Sequence, residues 1–146
     1  NGYLLEDLTC RMGPKGWGTI ATTAFDRHAA DVIVAETNYG GDMVIQTLKA
    51  AKPGVKCKKV TASRGKVVRA EPIASLTEQG RIRFAGSFPL LEEELCAMTV
   101  NGYLGTHSPN RADAFIWAMS ELFPGIAKRE REKIDLSAFG PVGLRT

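Results

Sequence analysis

The spacing of apolar residues along the chain alternates between two patterns, one typical of helices and one typical of strands. Apolar positions recur at steps of three and four residues in several segments, which is the periodicity of an amphipathic helix. This spacing predicts helices over residues 14–28, 42–51, 64–79, 89–98 and 109–123. Short β-branched or alternating runs between them predict strands over residues 3–9, 31–36, 57–61 and 81–84. A loop is expected over residues 100–108.

Glycine and proline mark the ends of these segments. Pro14 stands in the first turn of the first predicted helix, where its missing N–H costs little. Gly40 and Gly41 break the chain before Asp42, whose side chain can cap the second helix. Pro72 lies inside the third predicted helix, so we expect a kink or a late helix start there.

Strands that alternate with helices predict an α/β fold with at least some parallel strands. The length of 146 residues and the mass of 15.8 kDa fit one domain with its own core. We expect this domain to span residues 1–125. Residues 126–146 contain a run of basic and acidic side chains and end with Gly and Pro, so we interpret them as a basic, flexible tail.

Glu36 is the most informative single residue. It follows the continuous apolar run of residues 32–35, which is typical of a strand buried on both faces of a sheet. We therefore expect its carboxylate at the carboxyl end of a strand, the edge at which open α/β sheets build their sites. The alternative is an ordinary helix-capping or loop carboxylate.

Asp113 lies in the first turns of a helix that otherwise has an apolar face, close to Ala112 and Phe115. A carboxylate that points toward a core is costly unless a positive charge meets it. A divalent cation shared with Glu36 would satisfy both acids, and hard oxygen ligands without a His–Cys cluster indicate Mg²⁺ or Mn²⁺. Alternatively, Asp113 pairs with Arg111 or stabilises the positive helix N-terminus.

Two such ions would activate water and stabilise the leaving oxygen of a phosphodiester. This chemistry needs more carboxylates than Glu36 and Asp113 supply. Asp42 is a weaker candidate for a third ligand, because a helix cap explains it equally well.

Composition excludes several classes of protein. The apolar fraction of 44% and the charged fraction of 24% are those of an ordinary globular domain. No apolar run approaches the ~20 residues of a membrane helix and no signal-peptide pattern occurs, so we expect a cytoplasmic protein with no membrane partner. Three widely spaced cysteines indicate reduced, mostly buried thiols rather than a disulfide framework or a zinc ribbon.

The net charge of +3 and the pI near 8.9 are compatible with a polyanionic partner. Basic residues are concentrated within residues 56–69. Among them, Arg64, Lys66 and Arg69 surround a predicted helix start, where backbone N–H groups and cationic side chains suit phosphate oxygens. The alternative is a solvated basic face without a ligand.

Five blocks of sequence resemble the nuclease domains of the large terminase subunits of tailed phages. They are residues 31–43 (DVIVAETNYGGDM), 62–72 (ASRGKVVRAEP), 80–84 (GRIRF), 91–95 (LEEEL) and 108–114 (SPNRADA). Their order and spacing resemble that family over residues 2–123. The resemblance implies an RNase H-like fold, in which a mixed central sheet is flanked by helices and acidic residues at one sheet edge bind two metal ions.

The resemblance also implies roles for individual residues. Glu36 matches the second acidic ligand of the family's metal site, and Asp113 matches the last. Asn110 falls where some relatives carry a further ligand, although it also suits a turn before the helix. In the family the first catalytic Asp lies on a strand that would precede Tyr3, so we expect the N-terminal strand or strands of the fold to be missing from this chain.

The implied function is a two-metal endonuclease that cuts concatemeric double-stranded DNA with low sequence specificity during genome packaging. The implied partners are double-stranded DNA, the terminase ATPase domain, the small terminase and the portal, in the cytoplasm of the host cell. One alternative is a non-catalytic DNA-binding or docking fragment, because a site without its first Asp would hold metal weakly. Another is a different RNase H-like enzyme, such as a resolvase or a transposase.

Overall fold

The computed structural model describes residues 1–38, 41–63 and 65–129, in which helices and strands alternate along the chain. The strands are β1 (Gly2–Leu4), β2 (Ile33–Glu36), β3 (Cys57–Val60), β4 (Ile82–Phe84), β5 (Met98–Thr99) and β6 (Gly102–Tyr103). The helices are α1 (Pro14–Arg27), α2 (Asp42–Ala51), α3 (Lys66–Glu78), α4 (Pro89–Cys96), α5 (Asn110–Leu122) and α6 (Pro124–Arg129). The apolar spacing therefore predicted helices α1 to α5 close to their observed bounds.

Three predictions about local structure were wrong in part. The first strand ends at Leu4 rather than at residue 9, because its pairing with β4 ends there with a hydrogen bond from the backbone N–H of Ala85 to the Leu4 carbonyl. Helix α3 continues through Pro72, although it begins later than residue 64. The expected loop over residues 100–108 contains β6, which folds back on β5 through a turn in which Gly102 has a positive φ of 123°.

The strands of the described residues form three two-stranded sheets. β1 lies parallel to β4, β2 lies parallel to β3, and β5 lies antiparallel to β6. The mixed α/β class is thus confirmed, with parallel pairs joined by helices as the alternating pattern predicts. Helix α5 contacts both β1 and β2 and so connects the two parallel pairs.

Apolar side chains are buried in two clusters. One lies around α3, α4 and α5, and its buried members are Ile73, Leu76, Ile82, Leu91, Ala112, Phe115, Ile116 and Met119. The other lies between β2 and α2, and its buried members are Ala35, Ile45, Leu48 and Val55, with Trp17 of α1 packed against them. Because α5 fills the first cluster and also touches β2, its position fixes the side chains that project toward the end of β2.

The cysteines differ from the expectation of mostly buried thiols. Cys10 and Cys96 are exposed, because one lies in the segment between β1 and α1 and the other ends α4. Cys57 is half-buried, and this burial raises the pKa of its thiol. All three are free of disulfides, as their spacing predicts.

No helix in the described part of the chain is long and apolar enough to cross a membrane. The predicted boundary between residues 125 and 126 falls within α6. Residues 130–146 of the expected tail lie outside the described residues, so the division into a domain and a tail stays a prediction.

Helix α4 offers a test of the first core cluster with an internal control. Leu91 is 2% exposed, whereas its neighbour Leu90 is 57% exposed. We expect Leu91→Ala to lower the free energy of unfolding by about 2–4 kcal/mol, because it removes buried apolar surface and leaves a cavity. Leu90→Ala should change it by less than about 0.5 kcal/mol. Urea unfolding measures both, and equal losses would contradict this packing.

Candidate functional site

The carboxylate of Glu36 lies at the carboxyl end of β2, as the sequence predicts. Asn38 Nδ2 donates a hydrogen bond to Glu36 Oε1 over 2.7 Å. Asn38 Oδ1 in turn accepts a hydrogen bond from the backbone N–H of Ala62 over 2.9 Å. A single amide therefore connects Glu36 to the segment between β3 and α3, the segment that leads to Lys66. Sequence reasoning missed Asn38, and its position two residues after Glu36 was the available signal.

Asp113 lies in the first turn of α5 and is 8% exposed. Lys66 Nζ donates a hydrogen bond to Asp113 Oδ2, and Arg69 Nη2 lies 3.7 Å from Asp113 Oδ1. The requirement that a positive charge meets this buried acid is thus met by α3. The alternative pairing with Arg111 is wrong, because the guanidinium of Arg111 contacts Asp7 and Glu94 instead.

Arg69 is held more firmly than Lys66. Its side chain is 12% exposed, and its guanidinium carbon lies 4.6 Å from the centre of the Trp117 ring, within range of a cation–π contact. The Lys66 side chain is 41% exposed and has no comparable packing contact among the described residues. The two cations that face Asp113 therefore differ in side-chain mobility, because Lys66 can move into solvent whereas Arg69 is packed against Trp117.

Several buried polar atoms around Asp113 lack a hydrogen-bond partner within residues 1–38, 41–63 and 65–129. They are Asp113 Oδ1, Arg69 Nε and Arg69 Nη1. A buried polar group without a hydrogen bond costs about 1–3 kcal/mol, so native proteins rarely leave several of them in one place. Their concentration beside one carboxylate indicates a site whose hydrogen-bonding capacity is not used up by the chain itself.

Glu36, Asn110 and Asp113 line one pocket of about 420 Å³. The pocket lies between β2 and α5, and Val34 and Ala118 give it an apolar wall. The fold thus brings together three of the four residues that the sequence analysis named as possible metal ligands, although they come from two elements separated by more than seventy positions in the chain. Asp42, the fourth, does not line this pocket.

The donors in this pocket suit a hard divalent cation in kind. Carboxylate oxygens and an amide oxygen are ligands that Mg²⁺ accepts, and Asp113 Oδ1 is buried without a hydrogen bond. In number they are few, because the described part of the chain contains no group of three or more His, Cys, Asp or Glu side chains placed to hold one ion. The residues present therefore fit two sides of a metal site, and further ligands have to come from elsewhere.

Glu121 is a further acid of this pocket that sequence reasoning missed. It lies eight residues after Asp113 on α5, with Trp117 halfway between them, so all three lie on one face of the helix. The same helical spacing, read from Asp113 onward, was a signal that could have found it. Lys58 Nζ of β3 lies 2.5 Å from Glu121 Oε2 and neutralises this acid.

Most of the basic residues near α3 that the structure describes are paired with acids. Lys59 contacts Asp42, and this hydrogen bond and positive charge lower the pKa of the Asp42 carboxyl. The proposed helix cap by Asp42 is not observed, because Gly41 occupies the capping position and Asp42 begins the helix itself. Arg64 lies outside the described residues, so its predicted contact with DNA stays a prediction, as do those of Lys66 and Arg69.

The N-terminus of α5, and with it Asp113, is anchored by a cluster of charges. Arg111 Nε lies 2.9 Å from Asp7 Oδ2, and Arg111 Nη1 lies 3.4 Å from Glu94 Oε1. Glu94 Oε2 also accepts a hydrogen bond from the backbone N–H of Ala112 over 2.9 Å. A carboxylate of α4 therefore satisfies one of the free N–H groups at the start of α5, where the helix dipole favours a negative charge.

Asp7 should make this anchor sensitive to acid. Partial burial raises the pKa of Asp7, but hydrogen bonds from Thr9 and the charge and hydrogen bond of Arg111 together outweigh it and hold the pKa below its usual value of 3.8. A lowered pKa in the folded state means that ionised Asp7 stabilises the fold above its unfolded pKa. This contribution is lost as the pH falls below about 4 and through the folded pKa.

We therefore expect Asp7→Asn to lower the free energy of unfolding at pH 7. The difference in this free energy between the variant and the unmodified protein should shrink toward pH 3. Urea unfolding of both proteins as a function of pH measures this difference. Asp26→Asn is the matched control, because Asp26 pairs with Lys52 at a largely exposed position and its replacement should cost little. A difference for Asp7→Asn that is independent of pH would contradict the proposed anchor.

Comparison with known proteins was informative at the level of the family. No curated protein and no solved structure matches the chain. The sequence model of one family, described as the terminase RNase H-like domain, matches residues 2–122, which is most of the chain and includes Glu36, Lys66, Arg69 and Asp113. The pocket between β2 and α5 thus lies within the matched region. The chain belongs to the terminase RNase H-like domain family.

Proposed function

We propose that this chain is the nuclease domain of a viral DNA-packaging terminase and that it cuts concatemeric double-stranded DNA with the help of divalent metal ions. The observation that carries the proposal is the shared pocket of Glu36, Asn110 and Asp113 within a chain of this family. Two acids from different elements that face one cavity are part of the arrangement that a cation-dependent phosphodiesterase requires.

Glu36 and Asp113 would hold Mg²⁺ or Mn²⁺, and Asn110 would contribute an amide oxygen directly or through water. A bound pair of such ions supplies activation of water and stabilisation of the leaving oxygen. Glu121 lines the same pocket and is paired with Lys58, and we assign it no ligand role because it matches no ligand position in the resemblance to terminase nuclease domains.

The chain's own side chains prepare the site in three ways. Asn38 fixes the orientation of the Glu36 carboxylate through its hydrogen bond. Arg69 and Lys66 place positive charge beside the buried carboxylate of Asp113, which such a carboxylate requires. The apolar wall of Val34 and Ala118 excludes water from one side of the pocket, which strengthens electrostatic interactions within it.

DNA is proposed to approach along the start of α3. Arg64 and Lys66 would contact phosphate oxygens without reading sequence, whereas Arg69 would act mainly by supporting Asp113 because it is packed on Trp117. The proposed partners are double-stranded DNA, the terminase ATPase domain, the small terminase and the portal, in the cytoplasm of the host cell. These partners follow from the family to which the chain belongs.

One rival function has a specific observation in its favour. The described residues offer no cluster of three acids, and Asp113 is already neutralised by two cations. A domain with such a site could bind DNA or dock to other terminase components without cutting. A resolvase or transposase function has no comparable support, because the matching family is that of terminases.

Plasmid nicking in Mn²⁺ tests the proposal. The assay compares this chain with its Glu36→Gln and Asp113→Asn variants. We expect each substitution to reduce cleavage by more than about 100-fold, since loss of even an outer partner of a metal ligand costs about 10–100-fold.

Asp26→Asn serves as the control for loss of an acid and should cut normally, because Asp26 lies on α1 and does not line the pocket. Undiminished cleavage by Asp113→Asn would overturn the assignment of the site. Duplex binding without cleavage by this chain would favour the non-catalytic function.

A further inference from the structure

The ammonium group of Lys66 binds one of the two carboxylate oxygens of Asp113, the acid proposed above as a metal ligand. Lys66 Nζ donates its hydrogen bond to Asp113 Oδ2, and Asp113 lines the pocket together with Glu36 and Asn110. A metal ion bound to the same carboxylate would place two further positive charges beside this ammonium. Since like charges at short range repel in a partly buried site, the two cations would compete for this carboxylate.

The Lys66 side chain can move away from Asp113, whereas the Arg69 side chain is held in place by packing. Lys66 is the first residue of α3, follows Gly65, and its side chain is partly exposed on four flexible bonds. Arg69 lies one helical turn further on and is packed on the Trp117 ring. Displacement by an incoming ion would therefore move Lys66 and leave Arg69 in place as the permanent charge beside Asp113.

The free N–H groups at the start of α3 favour a DNA phosphate beside the displaced ammonium. Gly65 precedes the helix, and no side chain among the described residues caps it. Helix N-termini of this kind favour anions such as phosphate. A Lys66 side chain released from Asp113 would remain beside this helix end and add its charge to the attraction for a DNA phosphate.

We propose that Lys66 is a tethered cation that competes with the metal ion for Asp113, and that metal binding releases it to a DNA phosphate. This proposal rests on the function proposed above. In the absence of metal, Lys66 keeps Asp113 neutralised and is itself unavailable to DNA. Binding of metal and binding of DNA then strengthen each other, and by linkage each raises the affinity for the other by the same factor.

Metal binding without DNA gives the first test. Electron paramagnetic resonance of free Mn²⁺ is used to titrate the full chain, Asp113→Asn, Lys66→Met and Lys52→Met. Lys52→Met is the matched control, because it also removes a lysine from an ion pair, the one between Lys52 and Asp26. Asp26 lies near the end of α1 and Lys52 follows α2, away from Glu36. We expect Lys66→Met to bind Mn²⁺ about 3–10-fold more tightly and Lys52→Met to change the affinity by less than about twofold.

DNA binding gives the second test. Fluorescence anisotropy of a short labelled duplex is measured in EDTA and in Ca²⁺, another hard divalent ion. For the unmodified chain we expect Ca²⁺ to raise the affinity for DNA by about 3–10-fold. Lys66→Met should lose most of this increase, while Lys52→Met keeps it.

The outcomes separate this proposal from the function on which it rests. Equal Mn²⁺ binding by the unmodified chain and Asp113→Asn, or binding by neither the unmodified chain nor Lys66→Met, would overturn the metal site and the competition together. Weaker binding by Asp113→Asn, combined with unchanged or weaker binding by Lys66→Met, would leave the metal site standing and overturn only the role of Lys66.

Discussion

The burial of one carboxylate constrains much of this fold. Asp113 is almost inaccessible in the first turn of α5, and a buried carboxylate is tolerated only where positive charge meets it. Helix α3 supplies that charge through Lys66 and Arg69, so α3 and α5 have to lie side by side with a fixed rotation. Because α5 also contacts both parallel strand pairs, this electrostatic requirement and the packing of the core position the same helix.

The sequence predicted the requirement at Asp113 but not the residues that meet it. A carboxylate among apolar helix positions indicates that a cation must be near, whatever that cation is. The nearest candidate along the chain was Arg111, whereas Lys66, 47 positions earlier, makes the contact. Helices and strand ends follow from short-range periodicity, so α1 to α5 and the position of Glu36 were predictable. Which side chains meet across the fold depends on how helices rotate against each other, and no local pattern carries that information.

Other parts of the site could not be predicted for the same reason. Glu94 satisfies the start of α5 from a neighbouring helix, a contact that the apolar spacing of its own segment does not predict. Asn38 joins Glu36 to a loop that is distant in the chain. The three separate sheets of the described residues also escaped prediction, because a strand pattern identifies a strand but not its neighbours.

The two acids of the pocket differ in the charge of their present partners. Glu36 is bound by the neutral amide of Asn38, so a metal ion at this carboxylate displaces no charge. Asp113 faces two cations, so a metal ion there would compete with them for the carboxylate. On the function proposed here, Glu36 would therefore hold a metal ion at a lower electrostatic cost than Asp113. Lys66, the more exposed of the two cations beside Asp113, also lies at the start of α3, where its charge would meet a DNA phosphate.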